Sequence, residues 1–186
     1  MTRPRFTLPA AAVCFLAGLM MFACHSEKKK ITETLTHMMG KEIVFPKTLQ
    51  AKVLGRDTLV EVLEKPGYKI VTFADSSGCT DFRLNFYGWK LKMDEAKAWK
   101  TPVDFVFILQ PKDDFELLSL LKFNEFHFWI FYDKTIDFIR QNQLSSEPLY
   151  QTFLINPENK IVLVGNPVSN KTLWNLYKET VENQAE

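Results

Sequence analysis

Apolar residues recur along the chain with the two spacings that distinguish buried strands from amphipathic helices. Continuous apolar and β-branched runs predict strands over Tyr68–Asp75, Val103–Leu109 and Phe126–Tyr132, each apolar on both faces. Shorter runs at Ala51–Leu54 and Leu59–Leu63 are typical of edge strands. The sheet is therefore expected to have a covered centre and more exposed borders.

Helical spacing separates these runs. Apolar residues at mixed intervals of three and four predict a long helix from Thr80 to about Trp99. Three further helices are predicted: Asp113–Lys122, which is acidic in its first turn; one capped by Asp133 or Thr135 that runs to Gln141 or Gln143; and one over about Asn170–Glu182. Tyr150–Ile155 and Lys160–Gly165, joined by an Asn-Pro-Glu-Asn turn, predict a β-hairpin.

The alternation of strands and helices indicates an α/β fold in which a central mixed sheet has helices on both faces. Apolar residues make up 46% of the 186 residues and aromatic residues 13%, which is sufficient for a packed core. No repeat or interdomain linker interrupts the pattern, so one compact domain is expected.

The first 24 residues have the pattern of an export signal. Arg3 and Arg5 precede the uncharged run Leu8–Phe22, which is short for a membrane span, and the sequence Met-Phe-Ala-Cys ends at Cys24. This ending resembles a bacterial lipobox, which implies cleavage before Cys24 and acylation of its sulfur; an ordinary signal peptide is the alternative. We expect a signal peptide over 1–23, a tether with a short helix over 24–40, and a domain over 41–186.

Charge and cysteine content exclude several classes of protein. The formal net charge is +1, which argues against a dedicated nucleic-acid-binding protein, and no glycine-rich phosphate loop is present. Three cysteines, Cys14, Cys24 and Cys79, are too few and too scattered for a disulfide scaffold or a zinc site. If Cys24 is acylated and residues 1–23 are removed, one free thiol remains, at Cys79.

Two segments resemble parts of a known family. The run YKIVTFADSSGCTDFRL, from Tyr68 to Leu84, resembles the first core strand, active-site loop and helix start of thioredoxin-like proteins, especially the exported TlpA-like and redoxin group. The run YQTFLINPENKIVLVGNP resembles the hairpin of that fold. The resemblance covers about Ile43–Glu182, and Gly40–Ile43 is similar to a segment of thioredoxin-like lipoproteins from Gram-negative anaerobes. It implies a thioredoxin-like fold.

The resemblance also implies a defect in the catalytic cycle. Active members carry Cys-x-x-Cys at a helix start, where the first thiolate attacks a disulfide and the second cysteine resolves the intermediate. This chain keeps Cys79 but has Phe82 at the resolving position. Tyr150 stands where the family has a cis-proline, and a trans bond is expected there because a cis bond before a non-proline residue costs about 2.5–4 kcal/mol.

Three interpretations of Cys79 remain open. The first is a non-catalytic binding or accessory protein; the second is a monothiol exchange protein that needs an external resolving thiol; the third is a peroxide-reducing cysteine with Ser76 three residues before it. The candidate partner groove comprises Ser77, Gly78, Phe82, Arg83 and Tyr150. The expected partners are an unidentified envelope protein and, through the anchor, the membrane.

No cofactor or metal is expected. His127 is interpreted as a hydrogen-bonded core residue on the third strand, and Met38 and Met39 beside His37 are interpreted as packing residues. The sequence contains no Ser-His-Asp set and no dinucleotide fingerprint.

Overall fold

The computed structural model describes residues 28–76 and 84–183. The chain divides into two units, Met1–His37 and Met38–Glu186. In the first unit, the described residues 28–37 are helical, and Lys29 Nζ lies 3.9 Å from a carboxylate oxygen of Glu33. No helix among the described residues is both long and apolar enough to cross a membrane.

The second unit is built on a seven-stranded sheet with the order β2-β1-β5-β4-β3-β6-β7. The strands are β1 (Gln50–Val53), β2 (Arg56–Asp57), β3 (Tyr68–Ala74), β4 (Val103–Leu109), β5 (Ile130–Tyr132), β6 (Thr152–Ile155) and β7 (Ile161–Val164). The central strands β3, β4 and β5 run parallel, whereas β1, β2, β6 and β7 join through antiparallel pairs. The sheet is therefore mixed, as expected.

β3 is the central strand, and its burial explains its sequence. It pairs with β4 along its whole length, from Tyr68 opposite Val103 to Ala74 opposite Leu109, and with β6 on its other side. All seven residues of β3 are buried. A strand with neighbours on both sides and layers over both faces excludes water, which accounts for the nearly continuous apolar run.

The described helices of this unit are α1 (Phe86–Ala96), α2 (Asp114–Phe123), α3 (Asp137–Gln141) and α4 (Lys171–Asn183), and a 3₁₀ turn covers Pro148–Tyr150. Asp113 caps α2, because its carboxylate accepts a hydrogen bond from the backbone N–H of Phe115 at 2.7 Å. Asp133 serves α3 similarly: its carboxylate accepts from the N–H groups of Asp137 and Phe138 at 3.0 and 2.9 Å. Local polar groups thus start both helices near the predicted positions.

Two apolar layers cover the sheet. On one face the rings of Phe105 and Phe107 in β4 pack edge-on against Trp89 of α1, and Trp174 of α4 belongs to the same cluster. On the other face Phe73 of β3 contacts Phe138 of α3, with ring centroids 5.7 Å apart. Successive residues of a strand point to opposite faces, so each central strand contributes to both layers.

The helix predicted over Thr80–Trp99 is shorter in its described part. Asn85 adopts a left-handed conformation with φ 43°, and its side chain accepts from the N–H of Gly88 at 3.0 Å, so α1 begins at Phe86. Residues 80–83 of the predicted helix lie outside the described residues. A Cβ atom at Gly88 would overlap Val168, which explains glycine at this helical position.

Two predicted strands were wrong in extent. Leu59–Leu63 is not a strand; the partner of β1 is the two-residue strand β2, because positive φ angles at Leu54 and Gly55 turn the chain back immediately. The third strand is restricted to Ile130–Tyr132, because β1 pairs with these three residues and β4 with only the last two of them. Phe126 instead packs against the ring of Phe107, 5.3 Å away.

Candidate functional site

The parallel strands β3 and β4 end side by side, at Ala74 and Leu109. Just beyond them, the backbone N–H of Gln110 donates to the carbonyl of Ala74 at 2.9 Å, and Gln110 Oε1 accepts from the N–H of Ser76 at 3.2 Å. The carboxyl ends of parallel strands are where open α/β sheets usually bind ligands. This edge of the sheet is therefore the candidate functional site.

The turn that precedes β6 reaches the same edge. The N–H of Phe73 in β3 donates to the carbonyl of Gln151 at 2.9 Å, and Gln151 Nε2 donates to the carbonyl of Ser146 at 2.9 Å. Within the turn Tyr150 is 1% exposed, whereas Leu149 is 54% exposed. The bond before Tyr150 is trans, as is every peptide bond among the described residues, in agreement with the sequence-based expectation.

A cavity of about 140 Å³ lies between the end of β3 and this turn. Its lining residues are Thr72, Phe73, Ala74, Leu84, Pro148, Gln151, Thr152 and Asn166. Thr72 and Thr152 stand opposite each other in the β3–β6 pair, and their hydroxyl oxygens are 3.2 Å apart. Pro148 and Asn166 are exposed, whereas the strand residues are buried. The cavity thus has a polar inner wall and a rim at the surface.

The described residues on either side of the Cys79 segment lie at this edge of the sheet. Ser77, Gly78, Cys79, Phe82 and Arg83 lie outside the described residues, as does Cys24. The described residues that flank the segment are Ser76, held by Gln110, and Leu84, which is 4% exposed and lines the cavity. The candidate thiol therefore belongs to a segment whose two ends are anchored at this edge of the sheet.

Tyr150 has a different position from the other predicted groove residues. Because its side chain is buried, Tyr150 can shape a groove only through the backbone of its turn, and Leu149 is the exposed side chain there. Leu149, Gln151 and the two threonines were not among the predicted site residues. The available signal was the polar Thr72 near the end of the mainly apolar β3, matched by the polar start of β6.

The interpretation of His127 was wrong. His127 is exposed and lies outside the strand, because β5 begins only at Ile130. His37 is also exposed. Of the two methionines beside it, Met38 is 2% exposed and packs as expected, whereas Met39 is 46% exposed, so its interpretation as a packing residue was wrong. Over residues 28–76 and 84–183, no group of three His, Cys, Asp or Glu side chains is placed to hold a metal ion.

No protein-family model matches the chain, and no curated protein matches it. Solved structures do. The thioredoxin domain of a thiol-disulfide oxidoreductase from Bacteroides vulgatus is 15% identical, with a TM-score of 0.56 over 76% of this chain and 97% of that one. Copper-bound yeast Sco1 is 14% identical, with a TM-score of 0.53 over 77% and 92% of the two chains. A PrxQ mutant from Xylella fastidiosa is 12% identical, with a TM-score of 0.53 over 80% and 98%.

These similarities, at such low identity, establish the architecture. The protein has a thioredoxin-like fold: an α/β fold with a central mixed sheet of seven strands. The candidate functional region of this fold is the edge at which β3 and β4 end. The turn before β6 and the described residues that flank the segment 77–83 lie at the same edge.

Proposed function

We propose that this protein is a non-catalytic binding or accessory protein built on a thioredoxin-like scaffold and held at the cell envelope by an acylated Cys24. Its partner is an envelope protein that contacts the edge of the sheet around the segment 77–83. Ser77, Gly78, Phe82 and Arg83 of this segment and the turn at Tyr150 form the partner groove, in which Cys79 is a remaining candidate thiol rather than half of a dithiol.

The observation that carries the proposal is the number of thiols on this scaffold. Downstream of Cys24 the sequence contains one cysteine, Cys79, and Phe82 stands three residues after it. Opening and resealing a disulfide within one protein requires a second thiol to resolve the mixed disulfide. One thiol cannot complete that cycle without help, whereas a binding function does not require it.

The geometry of the site supports binding in a second way. The cavity beside Thr72 and the exposed Leu149 lie at the carboxyl ends of the parallel strands, the usual ligand-binding edge of an open α/β sheet. Pro148 lines the pocket and the exposed Leu149 follows it in the same turn, and an exposed apolar side chain in such a turn is suited to contact with a peptide segment. The edge therefore offers contact surface independently of any thiol chemistry.

Disulfide reductase activity tests the proposal. We expect the mature protein, purified with its anchor in detergent, to give no acceleration of insulin reduction above dithiothreitol alone. The matched variant Phe82→Cys restores a Cys-x-x-Cys spacing on the same scaffold, and we expect it to accelerate the reaction. Repeated turnover by the unaltered protein would contradict the proposal.

The alternative, monothiol exchange through Cys79, gives a different result with Cys79→Ser. If the protein binds without thiol chemistry, cross-linking in cells recovers the same partner from Cys79→Ser and from the unaltered protein. If the protein exchanges disulfides, the partner is recovered as a mixed disulfide that is lost in Cys79→Ser. The two results identify which interpretation holds.

A further inference from the structure

The cavity at the end of β3 has several polar side chains in its lining. Three of its lining residues are polar side chains that are more than nine-tenths buried: Thr72 at 6%, Gln151 at 8% and Thr152 at 2% exposure. Buried polar groups normally have hydrogen-bond partners, because an unpaired one loses its interaction with water without compensation. The hydrogen bonds of these three residues therefore indicate what the cavity is built to hold.

The two threonines leave one hydroxyl proton without an acceptor. Thr72 Oγ1 and Thr152 Oγ1 are 3.2 Å apart, and either can donate to the other. Two hydroxyl groups bring two protons, so one of them satisfies this bond and the other has no acceptor in the part of the chain that the structure describes. The inner wall of the cavity thus presents a surplus donor.

Gln151 supplies the complementary group. Its Nε2 donates to the carbonyl of Ser146 at 2.9 Å, which orients the amide. Its Oε1 accepts no hydrogen bond from residues 28–76 and 84–183 and is not among their fully buried atoms without a partner, so it is accessible to a ligand. A ligand group with one acceptor and one donor would satisfy both the threonine hydroxyl and this oxygen. A primary carboxamide has this combination.

The volume of the cavity and the charge of its lining residues restrict the kind of group that can bind there. At about 140 Å³ the cavity is smaller than the pockets that take drug-sized ligands, which span roughly 300–1,000 Å³. A cavity of about 150 Å³ accommodates a group the size of benzene, the scale of one side chain. None of the lining residues in the described part of the chain is charged, so these residues offer no counter-charge to a buried carboxylate or ammonium group.

We propose that this cavity is a specificity subsite that takes one carboxamide side chain, Asn or Gln, from an extended segment of the partner protein. The side-chain carbonyl accepts from the surplus hydroxyl of the Thr72–Thr152 pair, and the amide donates to Gln151 Oε1. The inference rests on the proposed binding function and assigns it a class of partner sequence.

Peptide titration of the mature protein in detergent micelles, followed by NMR, tests the subsite. The probe is a capped Gly-Asn-Gly tripeptide, and the control is a capped Gly-Asp-Gly tripeptide, which differs only in the side chain of its central residue. We expect saturable shifts of the Thr72 and Thr152 methyl signals with the Asn peptide, and binding at least about tenfold weaker with the Asp peptide, whose carboxylate would be buried unpaired. Equal binding of the two peptides would overturn the proposal.

Hydroxyl deletion tests the same contact from the protein side. The double variant Thr72→Val with Thr152→Val keeps the shape of the wall but removes both hydroxyls, and we expect it to bind the Asn peptide about three- to tenfold more weakly. Each single variant retains one hydroxyl donor and should bind like the unaltered protein. The control Thr172→Val removes an exposed threonine of α4 and should change nothing.

Two further outcomes distinguish a partner segment from a free small amide, and the subsite from the proposed binding function. Propionamide binding as tightly as the Asn peptide would overturn the assignment to a partner segment, since the cavity would then serve free small amides. If the double variant does not fold, the peptide pair on the unaltered protein still decides. If the two peptides bind equally and the protein does not reduce insulin, only the subsite is refuted. If the unaltered protein reduces insulin repeatedly, the proposed binding function is refuted, independently of the peptide result.

Discussion

At the scale of single residues, the most unusual side chain is Lys69, the second residue of the buried strand β3. It is completely buried, and its ammonium group donates to the backbone carbonyls of Lys65 at 2.6 Å and Gly67 at 3.3 Å. Burial lowers the pKa of Lys69 below its usual 10.5, and the negative charge of Asp104, opposite on β4, partly offsets this effect. The folded protein therefore binds the Lys69 proton less readily than the unfolded chain.

This shift predicts a pH dependence of stability. Between the lowered pKa and 10.5 the unfolded chain holds more protons, so the free energy of unfolding rises with pH in that window. In Lys69→Met this contribution is absent, because methionine does not titrate. Urea denaturation from neutral pH to pH 10 should show the unaltered protein gaining stability relative to Lys69→Met. Parallel curves for the two proteins would show that the Lys69 pKa is the same in both states.

At the scale of elements, one side chain joins α3 to the segment that covers the second face of the sheet. Asn142, which follows α3 and is 4% exposed, accepts from the N–H of Val44 and donates to its carbonyl, both at 2.8 Å, and also donates to the carbonyl of Phe138 at 2.9 Å. Its amide thus forms with the backbone of Val44 the pair of hydrogen bonds that a neighbouring strand would form. The ring of Phe45, next along the chain, then stacks on Phe138 with 5.8 Å between centroids.

Replacing this amide with a carboxylate should loosen the covering segment. Asn142→Asp keeps the shape but removes the donor, which leaves the carbonyls of Val44 and Phe138 facing a charged oxygen. We expect a loss of at least about 2 kcal/mol in the free energy of unfolding. Asn175→Asp, at an exposed position of α4, is the matched control and should change stability little. Chemical denaturation of both variants measures the difference, and equal stabilities would contradict a clamping role for Asn142.

At the scale of the whole molecule, the proposed arrangement is a membrane anchor joined to one folded unit through residues 24–40. The anchor is a sequence-based proposal that rests on the basic start, the apolar run and the position of Cys24. A lipid attached at Cys24 would hold the protein at the membrane surface. Because Cys24 lies outside the unit that contains the sheet, the lipid is not expected to change the structure of the sheet. The anchor and the site can therefore be tested independently.

Substitution of the anchor cysteine should change the location of the protein and nothing in its fold. We expect Cys24→Ala to abolish fatty-acid labelling and to stop processing of the signal peptide at this position. Cys14→Ala, which alters a cysteine inside the apolar run, is the control and should leave labelling unchanged. Metabolic labelling with a fatty-acid analogue distinguishes them, and persistent labelling of Cys24→Ala would show that Cys24 is not the acylated residue.

The sequence by itself determined the central architecture of this protein. The runs Tyr68–Asp75 and Val103–Leu109 are apolar on both faces, and only a sheet covered on both sides buries such runs, so β3 and β4 were predicted almost to the residue. The hairpin of β6 and β7 and the helix α4 were also predicted, because their signals are local: a turn between two short runs, and a repeat of apolar residues at helical spacing. The first hairpin strand, predicted from Tyr150, begins only at Thr152, because Tyr150 lies in the 3₁₀ turn before it.

The tertiary structure alone decided where pairing stops and which distant residues meet. The aromatic run Phe126–Tyr132 forms a strand only from Ile130, because β1 pairs with it from Ile130 and β4 pairs with it from Phe131. Thr72 and Thr152 are 80 residues apart, and Asn142 and Val44 are 98 apart, so no local pattern could join either pair. Secondary structure depends mainly on short-range spacing, whereas the cavity and its hydrogen bonds depend on the register of strands that only the complete fold brings together.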